Sequence, residues 1–570
     1  MKDSKNLILA VVLSALVLLG WTWASNRYFP TANPPSSKVE GGKQQPLPQP
    51  NAQPAGPASP KQLQSVAAAL ASTPRVKIQT PSLAGSINLK GAQIDDLVLL
   101  NQRQTIDKNS PPVRLLSPLG TPGAYVAAFG WTAGAGQAPA LDALWKADSQ
   151  TVSPGHPVTL TTEMAGGTRY QIRIAVDDGY LFTIQQSVAN ASGEPISVRP
   201  NGLVSRGQKS PDPDSWTNQV GPIGVFDGKA NYEVNWKDLD EGKAQSFNSS
   251  SGWLGFTDKY WLTVLAPQAG MTGEFRRSPS GGYQADYALA TMNVAPGQTL
   301  TTQTRLFAGA KEKALLDRYE QAGIPMLTRA IDWGWFRWFM VPIFSLLLWL
   351  FHTLGNFGVA IICLTLIVRT IMFPIAQKQF QSMAGMRKLQ PKMKAIQERF
   401  KDDKPRQQQE ILKLYQAEKI NPAAGCLPIL LQIPVFYALY KVLLVSVEMR
   451  HQPFILWIKD LSAPDPMTPI NLFGYLHFTP PTALAIGVLP IIVATTMFVQ
   501  FKLNPQAPDP VQQQVFSIMP WMMMFVMAPF AAGLQLYWVV SNLLTIAQQK
   551  WLYYRYDHAL NPTEPAVARK

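Results

Sequence analysis

The chain has 570 residues, 48 prolines, two cysteines, five histidines and a formal net charge of +14. Such a length exceeds one ordinary domain. Two cysteines, Cys363 and Cys426, exclude a disulfide scaffold, and the scattered histidines form no metal-ligand pattern. The average composition hides an asymmetry: residues 30 to 330 are polar, whereas those from 335 to 550 are dominated by Leu, Ile, Val, Phe, Met and Trp. A basic balance fits either nucleic acid or cytoplasmic loops beside an anionic membrane. Its clustering between apolar runs favours the membrane, with no nucleic acid expected as a direct partner.

In chain order, Lys2 and Lys5 precede an apolar run from Leu7 to Trp23. That run lies at the lower end of the roughly 17–25 residues that span a bilayer. Trp21, Trp23 and Tyr28 read as interfacial anchors, so residues 1–29 are expected to be an uncleaved anchor with a cytoplasmic N-terminus. A cleaved signal peptide is the alternative. Residues 30–75, rich in Pro, Gln, Ala and Ser, read as a flexible tether.

The texture of 76–320 is β. Tyr170-Gln-Ile-Arg-Ile-Ala-Val alternates apolar and polar residues as a half-buried strand should. Leu181-Phe-Thr-Ile and Tyr260-Trp-Leu-Thr-Val-Leu are further strands, separated by turn signals such as Asp178-Gly179, Asp227-Gly228 and Pro296-Gly297. A large antiparallel β-sandwich is expected, left by a helix over 311–320.

Two apolar runs follow, Trp333–Leu354 and Gly358–Phe373. If both crossed the membrane, the loop 377–425 would lie outside. That loop carries eleven Lys/Arg against five Asp/Glu, and the positive-inside rule places it in the cytoplasm. Only Gly358–Phe373 is therefore expected to cross, leaving 321–357 as a linker with a Trp-rich amphipathic helix at the outer interface. Within the loop, Met386, Leu389, Met393, Ile396 and Phe400 are spaced 3, 4, 3, 4 and Ile411, Leu414 and Tyr415 supply a facing stripe. A helical hairpin turning at Asp402-Asp-Lys-Pro405 and ending at Asn421-Pro422 is predicted. Further spans are expected at Cys426–Val447, Ala483–Phe501, Val515–Met527 and Gly533–Lys550. With the N-terminal anchor and Gly358–Phe373 they make six, five of them in a core over 358–550. The loop 448–482 then faces outward, and a short tail, 551–570, lies in the cytoplasm.

Arg369 ends the apolar run Ile361-Ile-Cys-Leu-Thr-Leu-Ile-Val. An arginine at mid-bilayer costs roughly 2.5–3.5 kcal/mol on insertion scales. It must either snorkel to the cytoplasmic surface near Pro374 or face a wet cavity. Thr365, four residues earlier, shares its helical face. In the last span Gln535, Trp538, Asn542 and Thr545 are spaced 3, 4, 3, flanked by Tyr537 and Ser541, and Gln432 is a lone polar residue in an earlier span. Such residues serve either as hydrogen-bonding glue between helices or as the lining of a shared hydrophilic groove. Met519, Met522, Met523, Met524 and Met527 crowd the fifth span, either as ordinary packing or as an adaptable apolar surface. There is no GxxxxGK[ST] phosphate loop, HExxH or GxSxG. Asp95-Asp96 and Asp177-Asp178 read as surface turns. Neither an enzyme nor a cofactor is expected.

The motifs Gly355-Asn-Phe-Gly358, Ile367-Val-Arg369, Met386-Arg-Lys-Leu-Gln-Pro391, Tyr415-Gln-Ala-Glu-Lys-Ile-Asn-Pro422, Gly425-Cys-Leu-Pro428, Gln432-Ile-Pro434, Trp457-Ile-Lys-Asp-Leu461 and Ser541-Asn-Leu-Leu-Thr545 resemble, in order and spacing, the YidC family of bacterial membrane protein insertases. The anchor, tether and β-domain look like the Gram-negative type. The resemblance implies an α-helical multi-span domain in the bacterial inner (cytoplasmic) membrane with both termini cytoplasmic and a large periplasmic antiparallel β-sandwich. It implies a membrane protein insertase and chaperone acting through a hydrophilic inner-leaflet groove, alone or with the Sec translocon. Arg369, Thr365, Gln432, Gln535, Tyr537, Trp538 and Asn542 would line that groove, with Tyr537-Trp538 where relatives often carry Tyr-Tyr. Met383, Met386 and Met393 would meet arriving substrates on the hairpin. Implied partners are nascent membrane proteins, the Sec translocon, membrane lipids, and the ribosome with targeting factors. Beyond Lys550 only Arg555, Arg569 and Lys570 are basic, which argues against a strong tail-mediated ribosome contact. A transporter or channel is the alternative, but no internal repeat is visible. An intramembrane enzyme and a carbohydrate-binding anchor are the more distant ones.

Overall fold

A computed structural model of the chain describes residues 37–40, 43–46, 63–134, 137–164, 166–212, 218–278, 281–334, 336–401, 403–418, 427–473, 475, 476, 478, 485–503 and 510–560. The anchor expected over 1–29 lies outside them. Two compact units form, one within 48–332 and 445–448, the other within 1–47, 333–444 and 449–570. Inside the expected tether, Ser37–Glu40 pairs antiparallel with Lys43–Pro46. A short helix, α1 (Val66–Ala71), is capped by the Ser65 hydroxyl, which accepts from the Ala68 N–H at 3.2 Å.

The first unit is a sandwich of a nine-stranded and an eleven-stranded sheet. Pairing is antiparallel except where 75–79 meets 151–152 in parallel. The alternation that predicts strands is the alternation of burial. In Thr168–Val176 and Leu181–Asn190 every second side chain is buried, because successive side chains leave a strand on opposite faces. Trp253, Tyr170, Phe182, Phe256, Phe275 and Phe307 fill the core. Several buried polar groups there find partners, as burial demands: the Tyr287 hydroxyl lies 2.6 Å from that of Thr304, and Gln186 donates to the Gly130 carbonyl at 2.7 Å. Helix α2 (Trp236–Asp240) buries Trp236 against Phe256 and Tyr283, and α3 (Lys313–Gln321) follows the last long strand.

One expectation fails here. Asp95 and Asp96 are not a surface turn. Both are buried in strand Gln93–Arg103, where Arg75 pairs with Asp95 and Arg114 with Asp96. The strand register shifts opposite them, between Ser86 and Ile87, and such a bulge interrupts the in-out alternation. Asp177 does sit at a turn, accepting from the Gly179 and Leu181 N–H groups and from the Tyr319 hydroxyl.

The second unit is helical. α4 (Arg337–Leu354) is, among the described residues, the single helix long and apolar enough by itself to cross a membrane. The family motif at 355–358 makes the next joint. Gly355 takes a positive φ of 70° and closes α4 by donating to the Phe351 carbonyl at 2.7 Å. Asn356 caps α5 (Phe357–Ile371), accepting from the Val359 N–H at 3.1 Å. Gly358 leaves room for the Phe454 ring.

At Met372 the chain bends by 60° into α6 (Phe373–Arg399), with Pro374 in its first turn. α5 with the start of α6 passes as one bent span. α7 (Lys404–Ala417) opens with Asp403 as cap and packs back on α6. Leu389 and Met393 are buried along the predicted stripe. α8 (Leu427–Val445), α9 (Val488–Leu503), α10 (Pro510–Met527) and α11 (Ala532–Leu560) complete the unit. α10 starts five residues before the predicted Val515, and α11 runs ten beyond Lys550.

Candidate functional site: a one-cation cavity among apolar helices

Helices α5, α6, α8, α9, α10 and α11 surround a cavity of about 370 Å³. The α5–α6 bend opens it: Arg369 comes from the last turn before the bend, and Met372, Ile375, Ala376, Gln379 and Phe380 come from the bend and the first turns after it. Met497, Gln500 and Phe501 come from α9, Met519 and Met523 from α10, and Gln432, Ile433 and Phe436 from α8. The last helix supplies Tyr537, Trp538, Ser541, Asn542, Thr545, Gln548 and Gln549.

Arg369 is the sole charged side chain in this lining, and no carboxylate pairs with it among the described residues. Its guanidinium turns across to α11, donating to the Ser541 hydroxyl and, at 3.2 Å, to the Ser541 carbonyl. Two neutral acceptors hold the head group while leaving its charge uncompensated. Around it stand five glutamines (Gln379, Gln432, Gln500, Gln548 and Gln549). Amides both donate and accept, so they add polarity to the lining without adding charge. Gln432 donates to the Tyr537 hydroxyl, and Asn542 donates to the Thr496 hydroxyl at 3.1 Å. The remaining wall is apolar and rich in methionine, with the Phe436 ring edge-on to Trp538 at 4.9 Å.

The predicted residues divide. Arg369, Gln432, Tyr537, Trp538 and Asn542 meet in the cavity. Thr365 and Gln535 do not line it. The buried Thr365 hydroxyl donates to the Ile361 carbonyl of its own helix at 2.7 Å. Gln535, fully buried, donates to the Met527 and Phe530 carbonyls, both at 2.8 Å, and so ties the α10–α11 turn. On the hairpin, Met393 is buried, its sulfur accepting from the Tyr415 hydroxyl at 3.6 Å; its thioether holds α6 to α7 rather than facing outward. The side chains of Met383 and Met386 lie outside the described residues. Gln549 was legible, since 538, 542, 545 and 549 continue the 4, 3, 4 spacing of one helical face. Gln379 and Gln500 carry no signal of their own; only the packing of α6 and α9 brings them in.

A helical unit with a polar, singly charged cavity between apolar helices, joined in one chain to a large β-sandwich, defines a membrane protein with a separate folded domain. The known proteins it matches are consistent over nearly the whole length. Residues 349–559 match the family described as 60Kd inner membrane protein, and 75–346 match the YidC periplasmic domain. The membrane protein insertase YidC of Zymomonas mobilis is 48% identical over 97% of this chain and 96% of its own. That of Methylorubrum extorquens is 44% identical over 96% and 94%. A crystal structure of an active YidC insertase aligns over 84% of this chain and 92% of its own, at 19% identity with a TM-score of 0.36. The chain belongs to the YidC family of membrane protein insertases, a family of insertases and not of enzymes.

Proposed function

We propose that this chain inserts and helps fold membrane proteins, and that the Arg369 cavity is the groove that receives the polar flank of an incoming helix. The observation that carries this reading is the lining: one unpaired-by-carboxylate cation, neutral amides and hydroxyls, and an adaptable methionine wall, set among apolar helices. The physical problem of insertion is moving a polar flank through hydrocarbon. A hydrated cavity part-way across shortens the dry path, and Arg369 attracts carboxylates and offsets their desolvation. A membrane potential positive outside adds roughly 2.3 kcal/mol per negative charge per 100 mV. Partitioning of the client's Leu, Ile, Phe and Val, about −0.3 to −0.6 kcal/mol each at mid-bilayer, completes the transfer. No bond is made or broken.

The proposed topology is multi-pass in the inner membrane. The 377–425 hairpin is cytoplasmic because of its eleven Lys/Arg, the sandwich is periplasmic, and α4 lies at the outer interface. The exposed Trp338 and Trp349 of α4 fit that placement. The hairpin, basic and exposed along its outer face, is the first contact for arriving clients.

The test is reconstitution. Purified full-length protein in liposomes should protect a single-span client from external protease. Insertion no better than in protein-free liposomes would sink the proposal. A flux of small solutes without client insertion would favour a transporter or channel.

A further inference from the structure

Between α8 and α9 the helical unit carries a loop whose polarity is inside out. Its neck is built at Asp465. One carboxylate oxygen accepts from the Trp457 ring N–H at 3.0 Å and the Met467 N–H at 3.0 Å; the other accepts from the Leu489 N–H, in the first turn of α9, at 2.7 Å. The Val488 N–H donates to the Met467 carbonyl at 3.0 Å, closing the neck. A side chain at Gly487 would collide with Asp465. The loop is therefore held at the point where the apolar helix α9 begins.

Beyond the neck, Thr468 and Asn471 are buried, whereas Ile470, Leu472, Phe473, Tyr475, Leu476 and Phe478 are between 39% and 65% exposed. Water would favour the reverse. Turn hydrogen bonds fix this arrangement, among them Phe473 N–H to the Thr468 carbonyl and Leu476 N–H to the Asn471 carbonyl, at 2.9 and 3.0 Å. Leu472 and Phe473 both adopt positive φ, 50° and 57°, a conformation that residues with a Cβ resist. Strain is thus spent on turning two large apolar side chains outward. From 466 to 487 the sequence has no Asp, Glu, Lys or Arg.

We propose that this loop is a lipid anchor: Leu472, Phe473, Tyr475 and Leu476 insert into the headgroup–acyl boundary of the bilayer beside the start of α9. The occupant is lipid because the neck is tied to the end of an apolar helix, because charges are missing, and because a tyrosine among aliphatic residues is the composition of an interfacial belt. The proposal rests on the reading of the chain as a membrane protein. It adds an anchor that fixes the depth of α9, and with it the depth of Gln500 and the cavity wall.

The experiment uses the full chain in phosphatidylcholine–phosphatidylglycerol liposomes, with Cys363→Ser and Cys426→Ser, and an environment-sensitive nitrobenzoxadiazole label at Phe473→Cys or, separately, Tyr475→Cys. Lipids bearing a nitroxide high on the acyl chain should cause a several-fold loss of emission at both positions, while aqueous iodide has little effect. A label at Ser250→Cys, exposed on the sandwich, should respond oppositely. Quenching of 473 and 475 by iodide alone would overturn the proposal by placing the loop in water. Insensitivity to both quenchers would overturn it in favour of a protein cover, such as a second copy. The quenching reads depth and not client insertion, so it stands or falls separately from the insertase reading.

Discussion

Replacing Arg369 by Ala tests whether the cavity acts by charge. The guanidinium faces a space of about 370 Å³ with no carboxylate in its lining, so a client's acidic residue entering that space meets an uncompensated cation. At about 4 Å and an effective dielectric near 20 the gross attraction is about 4 kcal/mol. Desolvation of both ions takes back much of it, leaving roughly 1–2 kcal/mol per acidic residue, or about a ten-fold effect on the transfer step. The assay is insertion of one client carrying zero, one or two Asp in its translocated flank, by wild type and by Arg369→Ala at matched expression. The expected defect is small with no Asp and grows with each one added. Arg369→Lys should retain function because a point charge suffices, whereas Arg369→Glu should be worse than Ala by repelling the flank. Ser541→Ala removes the hydroxyl that holds the guanidinium and should give a milder defect with the same client order. Equal insertion by wild type and Arg369→Ala across the whole series would refute the electrostatic role.

Single cysteines at Gln408 and Ser250, both exposed, should label from opposite sides in a background without Cys363 and Cys426; labelling of Gln408 from outside intact cells would refute the topology and make α4 a true span. Gln535→Leu leaves the α10–α11 turn without two hydrogen bonds and should cost about 1–3 kcal/mol, read as a lower melting temperature in detergent with unchanged client selectivity; altered selectivity at unchanged stability would place Gln535 in the groove instead. Burial and the neighbouring Arg450 push the His451 imidazole down to about 3, so its 3.9 Å approach to Asp460 is not an ion pair at neutral pH. The unfolded chain binds a proton below about 6.5 that the folded chain refuses until about 3; stability should fall as pH drops below about 6.5 toward about 3, and His451→Gln should flatten that slope in thermal unfolding. Gly358→Leu drives a side chain into the Phe454 ring and should destabilise by about 1–3 kcal/mol or more, whereas a neutral result would mean that the α4–α5 joint is loosely packed.

The helices and strands were legible because each has one dominant period. Period two marks Thr168–Val176, and the interval of three and four marks Leu389 and Met393. Boundaries were less so. Nothing in the apolar pattern says that α10 begins at Pro510, because Val511 to Gln514 are mostly polar and still helical. The Asp95–Asp96 doublet was unreadable because its partners, Arg75 and Arg114, arrive from other strands and the register shifts opposite the doublet. In the cavity, residues sharing one helical face were found together, as Trp538, Asn542 and Thr545 show. Faces were not enough to separate lining from glue. Thr365 shares a face with Arg369, but its hydroxyl is committed to the Ile361 carbonyl, the ordinary fate of threonine inside a helix.

On the proposed groove reading, the composition of the cavity also accounts for how one site would serve unlike clients. A carboxylate beside Arg369 would neutralise it and hold it in a fixed pair, and a second arginine would make the space costly to keep hydrated among apolar helices. A single cation held by the hydroxyl and carbonyl of Ser541 avoids both. The amides of Gln500 and Gln548 would add neutral donors and acceptors for a polar flank, lowering the cost of entry without selecting a sequence. Met372, Met497, Met519 and Met523 line the cavity, and their flexible thioethers would conform to whatever apolar surface follows. On that proposal charge would bias which flank enters first, while amides and thioethers would keep the site permissive. Selectivity among clients should then follow flank charge far more than the shape of the transmembrane segment.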